Sequence, residues 1–145
     1  MEVFTIGFTK KTAAEFFGLL QRYRIQRLVD VRLNNVSQLA GFTKRDDLQY
    51  FLREICKAEY VHEPLLAPTQ EMLDAYKKEK GVWAEYERKF LALMTQRKIE
   101  DSVPRAYFAL PAALLCSEPT PEHCHRRLVI EYLQSKWGDL QAIHL

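Results

Sequence analysis

The chain has 145 residues, of which 48% are hydrophobic and 28% are charged, and its formal net charge is +2. This composition is that of an ordinary globular protein with one core, and it excludes a disordered or fibrous chain. The balance of 21 basic and 19 acidic residues argues against broad non-specific binding to DNA, and no stretch approaches the roughly 20 apolar residues of a membrane helix.

The N-terminus and the cysteines indicate a cytoplasmic protein. Residues 1–5 contain no basic segment followed by an apolar run, so we expect no signal peptide. The three cysteines, Cys56, Cys116 and Cys124, are odd in number, which favours free thiols in a reducing compartment. We therefore expect one cytoplasmic domain over residues 1–145, without a membrane span.

The first half of the chain predicts three strands and two helices. Residues 3–7 are short and end in a glycine, which suits a strand that runs into a turn. Residues 12–15 match a capping box, and apolar residues at helical spacing follow it. Residues 25–31 predict a strand buried on both faces, because their apolar side chains do not alternate with polar ones. A helix over residues 46–57 and a short strand over residues 60–62 complete this half.

The second half predicts three helices and two strands. Residues 70–80 and 82–98 are helical on either side of Gly81, and the aromatic stripe of the second helix is expected in the core. Residues 112–115 predict a buried strand. Thr120 is expected to cap the last helix, with Pro121 in its first position and its end near residue 135. Residues 140–145 predict a final strand.

This alternation of strands and helices predicts an α/β fold. The economical arrangement has three layers, with a mostly parallel sheet and helices on both of its faces, as in Rossmann and flavodoxin-like proteins. Ligands of such sheets bind beyond the carboxyl ends of the strands. The chemistry should therefore lie where polar residues directly follow apolar runs.

Three predicted strands end in such residues. The first ends at Gly7, the second carries Asp30 and Arg32, and the fourth runs into Cys116 and Glu118. The fold would bring these distant segments to one edge of the sheet. We expect them to share one cleft.

The start of the last helix adds further candidates. At 100° per residue, His125 falls near the middle of the apolar face, Cys124 and Arg126 lie on its two margins, and Arg127 faces water. Unpaired amides and the helix dipole favour an anion at this end. Arg126 and Arg32 would supply two guanidinium groups from different elements, which predicts an anion site.

These segments together resemble the DUF488 family. They are Thr-Ile-Gly at 5–7, Leu-Val-Asp-Val-Arg at 28–32, Leu-Leu-Cys-Ser-Glu at 114–118 and Pro-Glu-His-Cys-His-Arg at 121–126. DUF488 proteins are small prokaryotic and phage proteins named for lacking an assigned function. The chain departs from the family pattern at Phe8, where members often have histidine, and at residues 65–68, where many have Leu-Gly-Gly. The signature positions that the resemblance implies are Arg32, Cys116, Glu118, Cys124, His125 and Arg126.

Our leading hypothesis is a domain that binds a phosphate-bearing small molecule, such as a nucleotide, or a nucleic-acid end. If it is an enzyme, it is a hydrolase or transferase acting on a nucleotide-like substrate. Cys124 would be the nucleophile, because a helix N-terminus and a histidine both lower a thiol pKa, and Glu118 and His125 would transfer protons. The expected catalytic residues are Glu118, Cys124 and His125. The expected ligand-binding residues are Gly7, Asp30, Arg32, Cys116 and Arg126.

Several alternatives stay open. The chain could be a non-catalytic module that binds nucleic acid or a protein. Asp30 and Arg32 could form a structural ion pair, and the two later cysteines could be buried hydrophobic residues or a redox pair. Those cysteines with His125 and His62 are ligand types that suit zinc, but their spacing is not that of a zinc finger, so we expect no structural metal. The sequence indicates neither a cofactor nor an oligomeric state.

Overall fold

The computed structural model describes residues 1–36, 41–118 and 121–145, and these ranges build an α/β structure around a five-stranded sheet. The strands are β1 (Glu2–Gly7), β2 (Arg27–Asp30), β3 (Glu59–His62), β4 (Ala112–Cys116) and β5 (Gln141–His144). The α-helices are α1 (Ala13–Arg22), α2 (Arg45–Phe51), α3 (Gln70–Lys77), α4 (Trp83–Arg97), α5 (Ile99–Ser102) and α6 (His125–Trp137).

All five strands are parallel, in the order β3-β2-β4-β1-β5. This confirms the predicted three-layer α/β class. The order differs from those of Rossmann and flavodoxin folds because β4 lies between β2 and β1. β4 is buried along its whole length, since it has a strand on each side and helices on each face.

Alternation along the strands divides the core into two layers. Leu114 and Cys116 of β4 pack in the apolar cluster that includes side chains of α4 and α6. Ala113 and Leu115 point the other way and pack in the cluster that includes α1 and α2. None of the helices in the described parts of the chain is long and apolar enough to cross a membrane.

Local signals placed most elements well. The predicted capping box is present, because the Thr12 hydroxyl accepts from the Glu15 amide and the Glu15 carboxylate accepts from the Thr12 amide. The second predicted helix is correct in extent, but its last turn, Leu52–Cys56, is π-helical. The short helix α5 follows Lys98, which has a positive φ of 51°, and was not predicted.

The start of the last helix was predicted wrongly. α6 begins at His125 with Cys124 as its N-cap, not at Pro121. The preceding residues form a turn in which the Cys124 amide donates to the Pro121 carbonyl at 3.2 Å. Thr120, the predicted cap, lies outside the described residues. Because of this later start, Cys124 is the N-cap and His125 is the first residue of α6.

Gly7, the last residue of β1, permits a close approach of two other segments. A Cβ atom at this position would lie 1.6 Å from the Glu118 carbonyl oxygen and 2.4 Å from Nη1 of Arg126. The absence of a side chain therefore lets the segment after β4 and the first turn of α6 pack directly on β1.

We predict that Gly7→Ala lowers the free energy of unfolding by about 1–3 kcal/mol, because the methyl group meets a backbone carbonyl that must move. Gly18→Ala is the matched control, since nothing lies within 4 Å of the added atom. It should stabilise α1 by about 0.5–1 kcal/mol. Urea unfolding of both variants checks this, and equal stability of Gly7→Ala and the wild type would contradict the packing described.

Candidate functional site

A cleft of about 270 Å³ opens at the carboxyl ends of β2 and β4. Its floor is formed by the end of β4 and the start of α6, and α3 and α4 form one wall. The predicted site residues that line it are Arg32, Cys116, Glu118, Cys124 and His125. Gly7 and Arg126 lie at the same sheet edge, behind the Glu118 carbonyl. Most of the signature positions therefore line one cleft.

Cys116 and His125 form a thiol–imidazole pair at the floor of the cleft. The Cys116 Sγ lies 3.5 Å from Nδ1 of His125, and Nε2 of the same ring lies 2.7 Å from the Val31 carbonyl oxygen. A carbonyl only accepts, so Nε2 carries a proton and donates it to Val31. Nδ1 is thereby directed at the sulfur. This is the arrangement of a nucleophile, a base and a group that orients the base.

The electrostatics of the pair favour charge separation. Hydrogen bonding from the neighbouring Cys124 thiol and the charge of His125 hold the pKa of Cys116 well below its usual range, although burial opposes them. Burial also disfavours the imidazolium, but the charge of Cys116 and the hydrogen bonds to Cys116 and to the Val31 carbonyl together outweigh it and raise the pKa of His125. The attraction between Cys116 and His125 contributes to both shifts, which favour a thiolate beside an imidazolium.

Cys124 differs from Cys116 in its charge state. Burial and the neighbouring Cys116 sulfur raise the pKa of Cys124, which keeps it a neutral thiol. Cys124 was predicted to be the nucleophile because a helix N-terminus and a histidine both lower a thiol pKa. The geometry favours Cys116 instead, since only one of two adjacent buried thiols can carry the charge and His125 faces Cys116.

The same three side chains could also hold a metal ion. One ligand atom from each of Cys116, Cys124 and His125 lies within 4.8 Å of the others, and all three residues are buried. Sulfur and imidazole ligands suit zinc, and the cleft would leave a fourth position open. His62 is not part of this group, because its Nε2 contacts the Arg32 carbonyl at 3.0 Å.

Arg32 is engaged in a buried ion pair. Its Nε and Nη2 each lie 2.9 Å from a carboxylate oxygen of Asp30, and Nη2 also donates to the Thr43 carbonyl. Tyr60 donates to the same carboxylate, and the Arg32 guanidinium lies over the Phe8 ring. Asp30 neutralises this guanidinium and occupies its bidentate edge, so the structural alternative describes Arg32 better than an anion contact does.

Arg126 and Arg127 do not point as their helical positions suggested. Arg126 was expected at the rim and is fully buried, with Nη1 donating to the Glu118 carbonyl at 2.9 Å. Arg127 was expected in water and is half-buried, with Nη1 on the Glu131 carboxylate. The difference arises because Arg126 inserts over Gly7, where no side chain blocks it.

Glu118 lies at the mouth of the cleft, paired with Lys77 of α3. Partial burial alone would lower the pKa of Lys77, but the hydrogen bond and charge of Glu118 raise it. Lys77 therefore remains a cation beside the carboxylate. Lys77 was not predicted as a site residue, because no pattern of spacing in the sequence links α3 to the end of β4.

An aromatic wall was also missed. Trp83 and Tyr86 of α4 stack with ring centroids 5.1 Å apart, and Tyr76 of α3 lies 5.5 Å from Trp83. This stripe was predicted to lie in the core; Tyr86 and Phe90 are buried there, and Trp83 packs against the same core but is partly exposed. All three wall rings line the cleft. These rings form a wall of the cleft because α3 and α4 pack together beside it, and hydrophobic periodicity along the sequence does not predict that contact.

Comparison with known proteins identifies the family. The family model described as "Domain of unknown function DUF488" matches residues 12–133. The chain belongs to the DUF488 family. No curated protein and no solved structure matches this DUF488 chain. The match covers the ends of β2 and β4 and the start of α6, where the described site lies.

The ion pair at the end of β2 should be structural. Arg32→Met leaves the buried Asp30 carboxylate unpaired and should lower the free energy of unfolding by about 3–5 kcal/mol. Arg45→Met removes an exposed pair with Asp46 and should cost less than about 1 kcal/mol. Urea unfolding of the two variants makes the comparison. A small cost for Arg32→Met would instead favour a role in ligand binding.

The thiolate assignment predicts selective alkylation. At pH 6.5, iodoacetamide should modify Cys116 first, because its lowered pKa leaves it ionised, whereas burial raises the pKa of Cys56 and of Cys124. Peptide mass spectrometry identifies the modified cysteine. His125→Gln removes the imidazolium, raises the pKa of Cys116 and should slow its alkylation at this pH by about tenfold or more.

Cys56→Ser serves as the control for this experiment, since Cys56 lies away from the cleft. Its alkylation profile at Cys116 should match that of the wild type. Faster modification of Cys124 than of Cys116 would reverse our assignment of the charged thiol.

Proposed function

We propose that this DUF488 protein is a thiol-dependent enzyme that acts on a small phosphate-bearing ligand, such as a nucleotide, bound in the cleft. The Cys116–His125 pair carries the proposal, because a buried thiol and an oriented imidazole meet at the end of an open cleft. A cysteine that served only to fill the core would not need an imidazole aimed at its sulfur. The enzyme class that fits is a hydrolase or a transferase.

The chemistry follows from the two protonation states. The Cys116 thiolate attacks an electrophilic centre of the ligand and forms a bond to it, while the bond to the leaving group breaks. His125 gives its Nδ1 proton to that leaving group. Water, or the hydroxyl of a second substrate, then attacks the thio-intermediate and gives its proton back to His125. The thiolate is restored, with hydrolysis in the first case and group transfer in the second.

The lining of the cleft supports the ligand class. The rings of Tyr76, Trp83 and Tyr86 offer an apolar wall on which a planar base can lie. Lys77 and Lys78 bring positive charge to the opening. The volume of about 270 Å³ is just below the roughly 300–1,000 Å³ of sites for drug-sized molecules, which suits a small ligand such as a mononucleotide.

Glu118 has a positioning role in this proposal. Its carboxylate holds Lys77 at the cleft mouth, and both groups can contact a sugar hydroxyl or a phosphate oxygen. Its carbonyl meanwhile accepts from Arg126. Glu118 thus links the cleft to the edge of β1. The sequence predicted proton transfer by both Glu118 and His125, and in this proposal His125 alone transfers the proton.

Binding can be followed through Trp83. The chain has two tryptophans, so Trp137→Phe leaves Trp83 as the reporter. Adenosine monophosphate should change its fluorescence in a saturable manner, and Tyr76→Leu should weaken binding by about fivefold or more, the loss expected for one stacked base. Tyr50→Leu, an exposed ring on α2, is the matched control and should leave binding unchanged.

Turnover separates an enzyme from a binding module. Chromatography of a nucleotide panel incubated with the protein should reveal a product. The Cys116→Ser variant should form no product but should bind the nucleotide with wild-type affinity. Binding without turnover by the wild type would favour a non-catalytic module. About one zinc ion per chain, lost together with binding on chelation, would instead make the thiols metal ligands.

A further inference from the structure

Arg126 is a buried charge without a counter-ion among the residues that the structure describes. Its side chain is fully buried, yet its Nε and Nη2 have no hydrogen-bond partner within the described parts of the chain. Nη1 donates to the Glu118 carbonyl, which is neutral, while the Glu118 carboxylate turns to Lys77. A guanidinium that is removed from water in this way is strongly unfavourable unless something pairs with it.

The unpaired atoms form one recognition surface. Nε and Nη2 are the two donors on one edge of the planar guanidinium, the edge that Arg32 presents to both oxygens of Asp30 in the same protein. A carboxylate or phosphate group matches this edge with two parallel hydrogen bonds. The free edge of Arg126 therefore has the geometry that matches an oxyanion with two oxygens on one side.

The surroundings of Arg126 also favour negative charge. Arg126 lies in the first turn of α6, a helix of 13 residues whose N-cap residue makes no side-chain cap. The half-buried Lys11 is close enough that the charge of Arg126, after burial, lowers the pKa of its ammonium group. Two neighbouring cations and a positive helix end repel one another unless an anion lies between them.

Arg127, the next residue of α6, differs from Arg126 because an acidic side chain compensates its charge. Its Nε is also buried without a partner, but Nη1 pairs with the Glu131 carboxylate and Nη2 donates to the Glu122 carbonyl. Arg127 is therefore neutralised within its own helix. Arg126 has no acidic neighbour in ion-pair contact among the residues that the structure describes.

We propose that Arg126, with Lys11 and the first turn of α6, binds an oxyanion, and that this oxyanion is the phosphate group of the cleft ligand. Gly7 and Cys116 are paired in register on neighbouring strands, so the Arg126 guanidinium over Gly7 lies one strand away from the reactive sulfur. The phosphate would be anchored beside β1 while the rest of the ligand reaches the aromatic wall. This second part rests on the proposed function, whereas the anion site itself does not.

Titration calorimetry in phosphate-free buffer tests the site with inorganic phosphate, adenosine monophosphate and adenosine. We expect wild-type protein to bind both phosphate compounds, and adenosine at least about tenfold more weakly than the monophosphate. Arg126→Met should weaken binding of both phosphate compounds by about tenfold or more. Arg127→Met, its neighbour on the helix, should keep the wild-type affinity.

Stability distinguishes a ligand anchor from a structural residue. Without phosphate, Arg126→Met should melt at or above the wild-type temperature, because it removes an uncompensated buried charge. Phosphate should raise the melting temperature of the wild type and of Arg127→Met but not that of Arg126→Met. If Arg126→Met does not fold, Lys11→Met tests the same site from its half-buried side and should weaken phosphate binding several-fold.

The outcomes separate the two proposals. Absence of phosphate and monophosphate binding by the wild type, or equal losses in the Arg126 and Arg127 variants, would overturn the anion site. Binding of inorganic phosphate together with equal affinities for adenosine and its monophosphate would support the anion site but contradict the claim that it binds the phosphate group of the cleft ligand. Normal phosphate binding with no turnover and no selective alkylation at Cys116 would support the anion site but contradict the proposal that the protein is an enzyme.

Discussion

The hydrogen bond from His125 Nε2 to the Val31 carbonyl sets the chemistry of this edge of the sheet. It joins the first residue of α6 to the end of β2 across the end of β4, which lies between β2 and β1. Because a carbonyl accepts only, the bond decides which imidazole nitrogen faces Cys116. The hydrogen bond from Cys124 and the charge of His125 lower the pKa of Cys116, whereas burial and the Cys116 sulfur raise the pKa of Cys124.

Gly7 supplies the complementary constraint on the other side of β4. Its missing side chain lets the Glu118 carbonyl and the Arg126 guanidinium reach the backbone of β1. The segment between β4 and α6 is therefore held at both ends, by Arg126 at Glu118 and by the turn at Cys124. Without this approach, Glu118 would not be placed to hold Lys77 at the cleft mouth.

Much of this arrangement follows from local sequence. The apolar runs predicted the parallel sheet, the capping box placed α1, and the helical position of His125 predicted its burial. What escaped prediction depends on contacts between distant segments. Strand order and the aromatic wall are set by packing, whereas the ion pair of Arg32 with Asp30 was one of the alternatives that the sequence left open. The start of α6 was misplaced because Pro121 suits a turn as well as a first helical position.

The two buried arginines at this edge differ in how their charges are neutralised. Asp30, the last residue of β2, neutralises Arg32 two residues later, so the end of β2 is complete by itself. Arg126 inserts over a glycine, where the neighbouring strand can offer no carboxylate. A sequence under selection for stability alone would replace such a residue with an apolar one. Its burial over Gly7, one strand away from Cys116, therefore accords with our proposal that a ligand is the partner that completes it.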